Sequence, residues 1–144
     1  DDFSMRLFGP ADNLELPLTG EQINFSEVGL AFKRGGKQAS VLSPISGVVA
    51  AVNYQTVKDP TLVKQEPYNE GWLMVLDPVD MKKNLKDLLY GKESAEWIHA
   101  EHQKLVEMVS EVGVTYADGG MIEDVVGSLP ELDWNRLTQS FLRT

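Results

Sequence analysis

The pattern of hydrophobic and polar positions changes period once along this chain, near residue 79. Before that point, apolar residues come in short runs broken by Gly, Pro and Asn. Leu14-Glu15-Leu16 alternates and stops at Pro17 and Gly20. Further runs cover Val28 to Phe32, Gln38 to Leu42, Gly47 to Val52 (GVVAAV) and Trp72 to Leu76 (WLMVL). Short β-rich runs at this spacing predict the strands of a small sandwich or barrel. Asp2 to Leu7 reads as a short helix stopped by Gly9-Pro10.

From residue 79 the period is helical. Met81, Leu85, Leu88 and Leu89 share one face, and Gly91 ends that helix. Ser94 is the expected N-cap of a second helix, with Glu96 in its first turn. Its apolar stripe is Ile98, His102, Leu105, Val109 and Val112, up to Gly113. Ala117 to Gly120 (ADGG) is a break, and Met121 to Val126 has room for a helical turn or two. Asp133 is placed to cap a last helix carrying Trp134, Leu137 and Phe141. The expectation is a mainly β module followed by C-terminal helices, without internal repeats.

Composition narrows the classes. With 144 residues, 42% of them hydrophobic, the chain is long enough for one domain with a real core and a small appendage. No run of about 18 apolar residues offers a membrane span, and no charged and then apolar leader is visible. The chain has no cysteine, so disulfides, thiolate nucleophiles and cysteine-held metals are excluded; a cytoplasmic protein is expected. The net charge is −9, which repels nucleic-acid phosphates and favours basic partner surfaces. The first residue is Asp1 rather than Met, as in a trimmed chain with structure upstream.

Catalytic signatures are missing. There is no GxSxG, HExxH, P-loop or GxGxxG. His99 and His102 lie three apart on an expected helix, where they share a face. His102 falls on the apolar stripe and no third ligand is indicated, so a structural role is expected and no metal. Acidic neighbours such as Glu123-Asp124 and Asp77/Asp80 are expected to cap helices or face water. The expectation is a non-enzyme with no catalytic residue.

One short stretch carries more. In FKRGGKQASVLSPISG, residues 32–47, Gly35-Gly36 sits between two β-like runs and suits a two-residue hairpin turn with positive φ. Lys33, Arg34 and Lys37 crowd its tip, a basic spot on an acidic protein. On these residues alone, the charges cover a solvated turn or present a contact surface. Ser43-Pro44 then holds the chain extended before the strand that starts at Gly47.

SPISGVVAAVN (43–53) is similar to the segment after the lipoyl hairpin in the H protein of the glycine cleavage system, which reads roughly S-P-[VI]-S-G-x-V-x-x-V-N. DPTLVKQEPYNEGWL (59–73) resembles that family's N-P-x-L-V-x-x-[DE]-P-Y-x-x-G-W-L. DDFSMRLFGPADNLELPLTG (1–20) is similar to its T-D-[YF]-A-x-x-x-L-G-[DE]-x-x-x-[VI]-x-L-P-x-x-G. The resemblance covers residues 1 to about 90. It implies a lipoyl/biotinyl-carrier-like β-sandwich, the barrel-sandwich hybrid, in residues 1–90, with residues 91–144 as a helical extension longer than the family's usual C-terminal helix. That extension is expected to pack on its own domain; replacing missing strands or forming a homodimer are its other uses.

The resemblance also locates two departures. The family's first strands, with their H-E-W segment, have no counterpart, so a fragment or a fold completed differently is expected. The family's modified lysine lies in E-S-V-K-A, seven residues before the serine of S-P-V-S-G. Counted back from Ser43, that position is Gly36, with Lys37 one place late and Lys33 and Arg34 where an acidic residue is usual. A one-residue shift changes where a side chain points, and a ligase needs its target amine in line.

The expectation is therefore a protein-interaction module of H-protein type, not lipoylated at the usual site and without cofactor. The alternative is a genuine lipoyl carrier that shuttles an aminomethyl or other group on lipoyl-Lys37. A third reading is a small-molecule-binding protein using the cleft between sandwich and tail. Lys33, Arg34, Gly35, Gly36, Tyr68 and Trp72 are the candidate contact residues, and the expected partners are proteins of the glycine-cleavage or lipoyl-ligase type. Tyr68 and Trp72 are large enough to anchor the loop that carries Pro67 and Gly71, and Asn53 suits a turn at a strand end.

Overall fold

A computed structural model describes residues 2–86, 88–113 and 122–144. The expected ADGG break, 117–120, lies outside these, as does Met121. Six strands form two antiparallel three-stranded sheets. The first joins β1 (Asn13–Glu15), β3 (Val28–Arg34) and β4 (Lys37–Leu42) in the order β1-β3-β4; the second joins β2 (Gln22–Ile23), β5 (Gly47–Val52) and β6 (Met74–Pro78) in the order β2-β5-β6. The runs read from sequence became strands; β6 starts two residues later than its run, and β2 had no legible pattern. Helices hold more residues than strands, so the balance is less β-rich than the sequence pattern implied.

The first helix, α1 (Asp2–Phe8), ends at Gly9 as expected. Two short helices, α2 (Tyr54–Lys58) and α3 (Leu62–Gln65), fill the connection from β5 to β6. α4 (Met81–Lys86) is shorter than its periodic stripe, leaving Leu88 and Leu89 beyond its end. α5 (Lys92–Glu111) starts two residues before Ser94. Gly91, in a left-handed conformation, takes the N-cap place, and the Ser94 hydroxyl donates back to the Gly91 carbonyl oxygen at 3.1 Å. α6 (Val125–Ser128) and α7 (Trp134–Leu137) follow, and α7 runs on as a π-helical turn, Thr138–Leu142. Asp133 caps α7 as expected, its carboxylate accepting from the Arg136 N–H at 2.7 Å. No helix among the described residues is long and apolar enough to cross a membrane.

The strand register explains where the core sits. Leu14 pairs with Phe32 and Phe32 with Ala39, so these three side chains cross one face of the first sheet in a row. α1 and the C-terminal helices close over that face. Phe3, Leu7, Phe8 and Ala39 form one buried cluster with Leu105, Met108 and Val109 of α5, Val125 of α6, and Trp134 and Leu137 of α7. Phe8, Phe32 and Trp134 meet edge to face, with centroids 5.5–6.1 Å apart, the geometry that aromatic quadrupoles favour. His102 belongs to this packing: its ring stands 5.0 Å from that of Phe3 in a T-shaped contact. Among the described residues no three His, Cys, Asp or Glu side chains could hold a metal ion.

Candidate functional site

The hairpin tip is built by backbone geometry. β3 and β4 pair from Val28↔Leu42 to Arg34↔Lys37, leaving Gly35 and Gly36 as a two-residue loop. Their φ angles are +55° and +76°, the left-handed region at both positions, as a turn matched to the strand twist requires. The Gly35 N–H donates to the Asp12 carboxylate at 2.6 Å, tying the tip to the residue before β1.

The three tip cations have different neighbours. Lys33 is paired with Glu15 across the β1–β3 ladder, both half-exposed. Arg34 is turned inward, its side chain only 17% exposed. Its guanidinium meets the Asp124 carboxylate through two bonds of 2.5 Å and also donates to the Phe8 carbonyl oxygen. The hydrogen bonds from Arg34, followed by that of the Gly127 N–H, hold the Asp124 carboxyl below the usual carboxylate range. Arg34 is correspondingly committed to its own chain. Lys37 is exposed, with Nζ 5.8 Å from the centroid of the Trp134 ring, a cation–π distance. The Trp134 indole N–H donates to the Gln38 carbonyl oxygen at 2.9 Å. The segment 130–135 thus runs beside Lys37, and together they line an open groove of about 420 Å³ that includes Glu131 and Asp133.

A second cavity, about 520 Å³, opens between α1, the loop before β6, and the residues preceding α6. Arg6, Lys64, Tyr68, Trp72 and Asp124 are among its walls. Tyr68 was expected to anchor this loop but is 93% exposed, and Trp72 is exposed as well. The anchor is Asn53. Its buried amide donates to the carbonyl oxygens of Glu70 and Trp72, each at 2.8 Å, and its oxygen accepts from Gln55 N–H. Two bonds from this buried amide hold the loop, and the third holds Asn53 itself at the start of α2. Gly71 belongs to the same clasp, because a Cβ there would lie 2.5 Å from the Leu62 carbonyl oxygen.

Sequence reasoning named the tip and the loop but not Asp124 or Trp134, the side chains that engage the tip from the far end of the chain. Glu123-Asp124 read as an ordinary acidic pair, and Trp134 as one apolar position of a last helix.

Two three-stranded sheets with an exposed glycine hairpin and a clasped loop make a small β module with helices added. Residues 1–103 match the family model described as glycine cleavage H-protein. A glycine cleavage system H protein of Legionella pneumophila (strain Corby) is 39% identical over 99 residues, covering 66% of this chain and 78% of that protein. Its counterpart in Thermus thermophilus is 30% identical over 100 residues, 69% of this chain and 77% of that one. The crystal structure of a glycine cleavage system H protein from Mycobacterium marinum superposes with a TM-score of 0.51 at 22% identity, over 59% of this chain and 72% of that chain, a likeness of fold. The chain belongs to the glycine cleavage H-protein family. Asp124 and Trp134 lie beyond the matched stretch.

Proposed function

We infer that this chain is an H-protein-family module that works through protein contact, without a lipoyl arm at the usual position. The two sheets act as a lipoyl-type sandwich that presents the hairpin. The observation that carries the reading is the tip itself. Gly36 holds the place that the family register gives to the lysine. The neighbouring Lys37 lies against Trp134, with Glu131 and Asp133 along the same groove. A ligase must seat its target amine beside an activated acyl group, and small misplacements cost much of the rate. A tip with Lys33 and Arg34 where the family is acidic, and with Trp134 against its remaining amine, presents a different surface to that approach. Partners would be proteins of the glycine-cleavage or lipoyl-ligase type, in the cytoplasm, and the chain would carry out no chemistry of its own.

The exposure of Lys37 favours one second reading, a lipoyl carrier that uses this shifted amine. Intact-mass measurement separates the two. The folded chain is incubated with lipoate, ATP and a lipoyl ligase, alongside a known carrier as positive control. The expected result is an unchanged mass. A gain of one lipoyl group, located on Lys37 by peptide mapping, would overturn the contact-only reading in favour of the carrier.

A further inference from the structure

The connection from β6 through α4 to the start of α5 is chemically unlike the rest of the surface. Val79, Met81, Leu85, Leu89 and Tyr90 are each 43–68% exposed. Met81 and Leu85 lie one helical turn apart and so share a face of α4. Lys82, Lys83, Lys86 and Lys92 are interleaved with them and are all exposed. None of these four forms an ion pair among the described residues. Residues 79–92 therefore carry four of the chain's 13 basic side chains against two acids, Asp80 and Asp87, in a protein of net charge −9. The segment is held firmly at one point. Asn84 is the buried residue of α4, its amide facing Ser46, with the Nδ2 donating to the Ser46 carbonyl oxygen at 3.3 Å. That anchor presents the apolar and basic side chains outward on a fixed support.

We propose that the 79–92 segment is a docking surface for a partner protein whose contact face is apolar and acidic. Charge complementarity selects that occupant. An acidic partner is repelled by most of this molecule and attracted here, whereas at the hairpin tip Lys33 and Arg34 are already paired with Glu15 and Asp124 and Lys37 lies beside Glu131 and Asp133. Screening confines each effect to about 8 Å at physiological salt, so the partner is steered into one orientation. An anionic membrane is disfavoured because a broad charged plane would also face the acidic remainder of the surface. A second copy is disfavoured because this basic patch would have to meet a different, acidic patch on its neighbour. Such a head-to-tail contact does not close unless a rotation happens to complete a ring. The proposal goes beyond the hairpin reading and does not depend on whether Lys37 is lipoylated.

The full chain, isotope-labelled, is titrated with a synthetic helical peptide bearing leucines on one face and glutamates on the other. A matching peptide with lysines for glutamates and phosphatidylglycerol vesicles are run in parallel, and sedimentation measures self-association. The expected result is binding of the acidic peptide alone, with amide shifts confined to residues 79–92 and their contacts. Affinity falls with salt and drops about tenfold or more in the Lys82→Glu/Lys83→Glu/Lys86→Glu variant. Tyr90→Ser, which leaves the charges in place, also weakens binding. No binding, equal binding of the lysine peptide, or shifts centred elsewhere would overturn the proposal. Preferential binding to vesicles would reassign the surface to membranes, and a dimer broken by the charge reversal would reassign it to self-contact.

Discussion

Two apolar helical stretches follow the strands of this protein. In the C-terminal one, Trp134 and Leu137 of α7 are buried with Val125 of α6 against α1 and the first sheet. In the other, after β6, Met81, Leu85, Leu89 and Tyr90 stand half in water. The stretches are similarly apolar. They differ in what faces them. The first sheet offers the row Leu14, Phe32 and Ala39, and α1 adds Leu7 and Phe8. The stretch after β6 meets the residue before β5 through a polar contact, Asn84 to Ser46. Burial follows the supply of an opposing apolar surface, and an apolar stripe without one remains available to something else.

The contrast can be broken by substitution. The largest effect is expected on the covered side. Leu137, 1% exposed, should cost about 2–5 kcal/mol when replaced by alanine, through lost burial and the cavity left behind. Urea unfolding of Leu137→Ala measures it, and a loss near zero would mean that the tail is not part of the cooperative core. Next comes the Arg34–Asp124 pair. Removing one charge of a mostly buried, doubly bonded pair should cost about 1–3 kcal/mol. Asp124→Asn keeps a side chain that tolerates the residue's left-handed φ of +66° and can still cap α6. It therefore isolates the charge.

The same pair gives a pH dependence with a definite sign. The folded-state pKa of Asp124 is lowered from 3.8, chiefly by the Arg34 hydrogen bonds. Its contribution is therefore complete above the unfolded carboxyl value and is lost as pH falls through the lower folded value. Unfolding curves taken between neutral and strongly acidic pH should show the gap between the native chain and Asp124→Asn closing only in that acidic window. A gap that closed near neutrality would point to another group. The smallest effect belongs to the bare side: Leu85→Ser should change stability by no more than about 0.5 kcal/mol. A larger loss would show that this stretch is packed in solution after all.

Legibility in the sequence followed the range of the interactions. The β3–β4 hairpin could be read because turn residues and alternation lie within a few positions of each other. The same holds for β5, an unbroken GVVAAV run, and for the Asp133 cap. β2 escaped because two residues carry no period. α2 and α3 escaped because helices of five and four residues show too little periodic pattern and rest on local bonds such as that from Gln55 N–H to Asn53. At the site, the basic tip was visible but its partners were not. Arg34 meets Asp124 across 90 positions, and Trp134 reaches Gln38 across 96. Nothing local in Glu123-Asp124 marks one carboxylate as the mate of a distant arginine. Tyr68 failed for the opposite reason: its size promised an anchor that the smaller Asn53 provides.

The glycine turn has a consequence for redesign. A Cβ built on Gly36 would touch nothing within 4 Å, so space is not what restricts this position. The obstacle is torsional, since at φ +76° a lysine would be strained by about 1–2 kcal/mol where glycine is at ease. Placing a lysine at position 36 is thus more than a one-residue edit. The loop would have to adopt a different turn before an amine there could sit without strain, so the glycine pair ties the position of any tip amine to the shape of the turn.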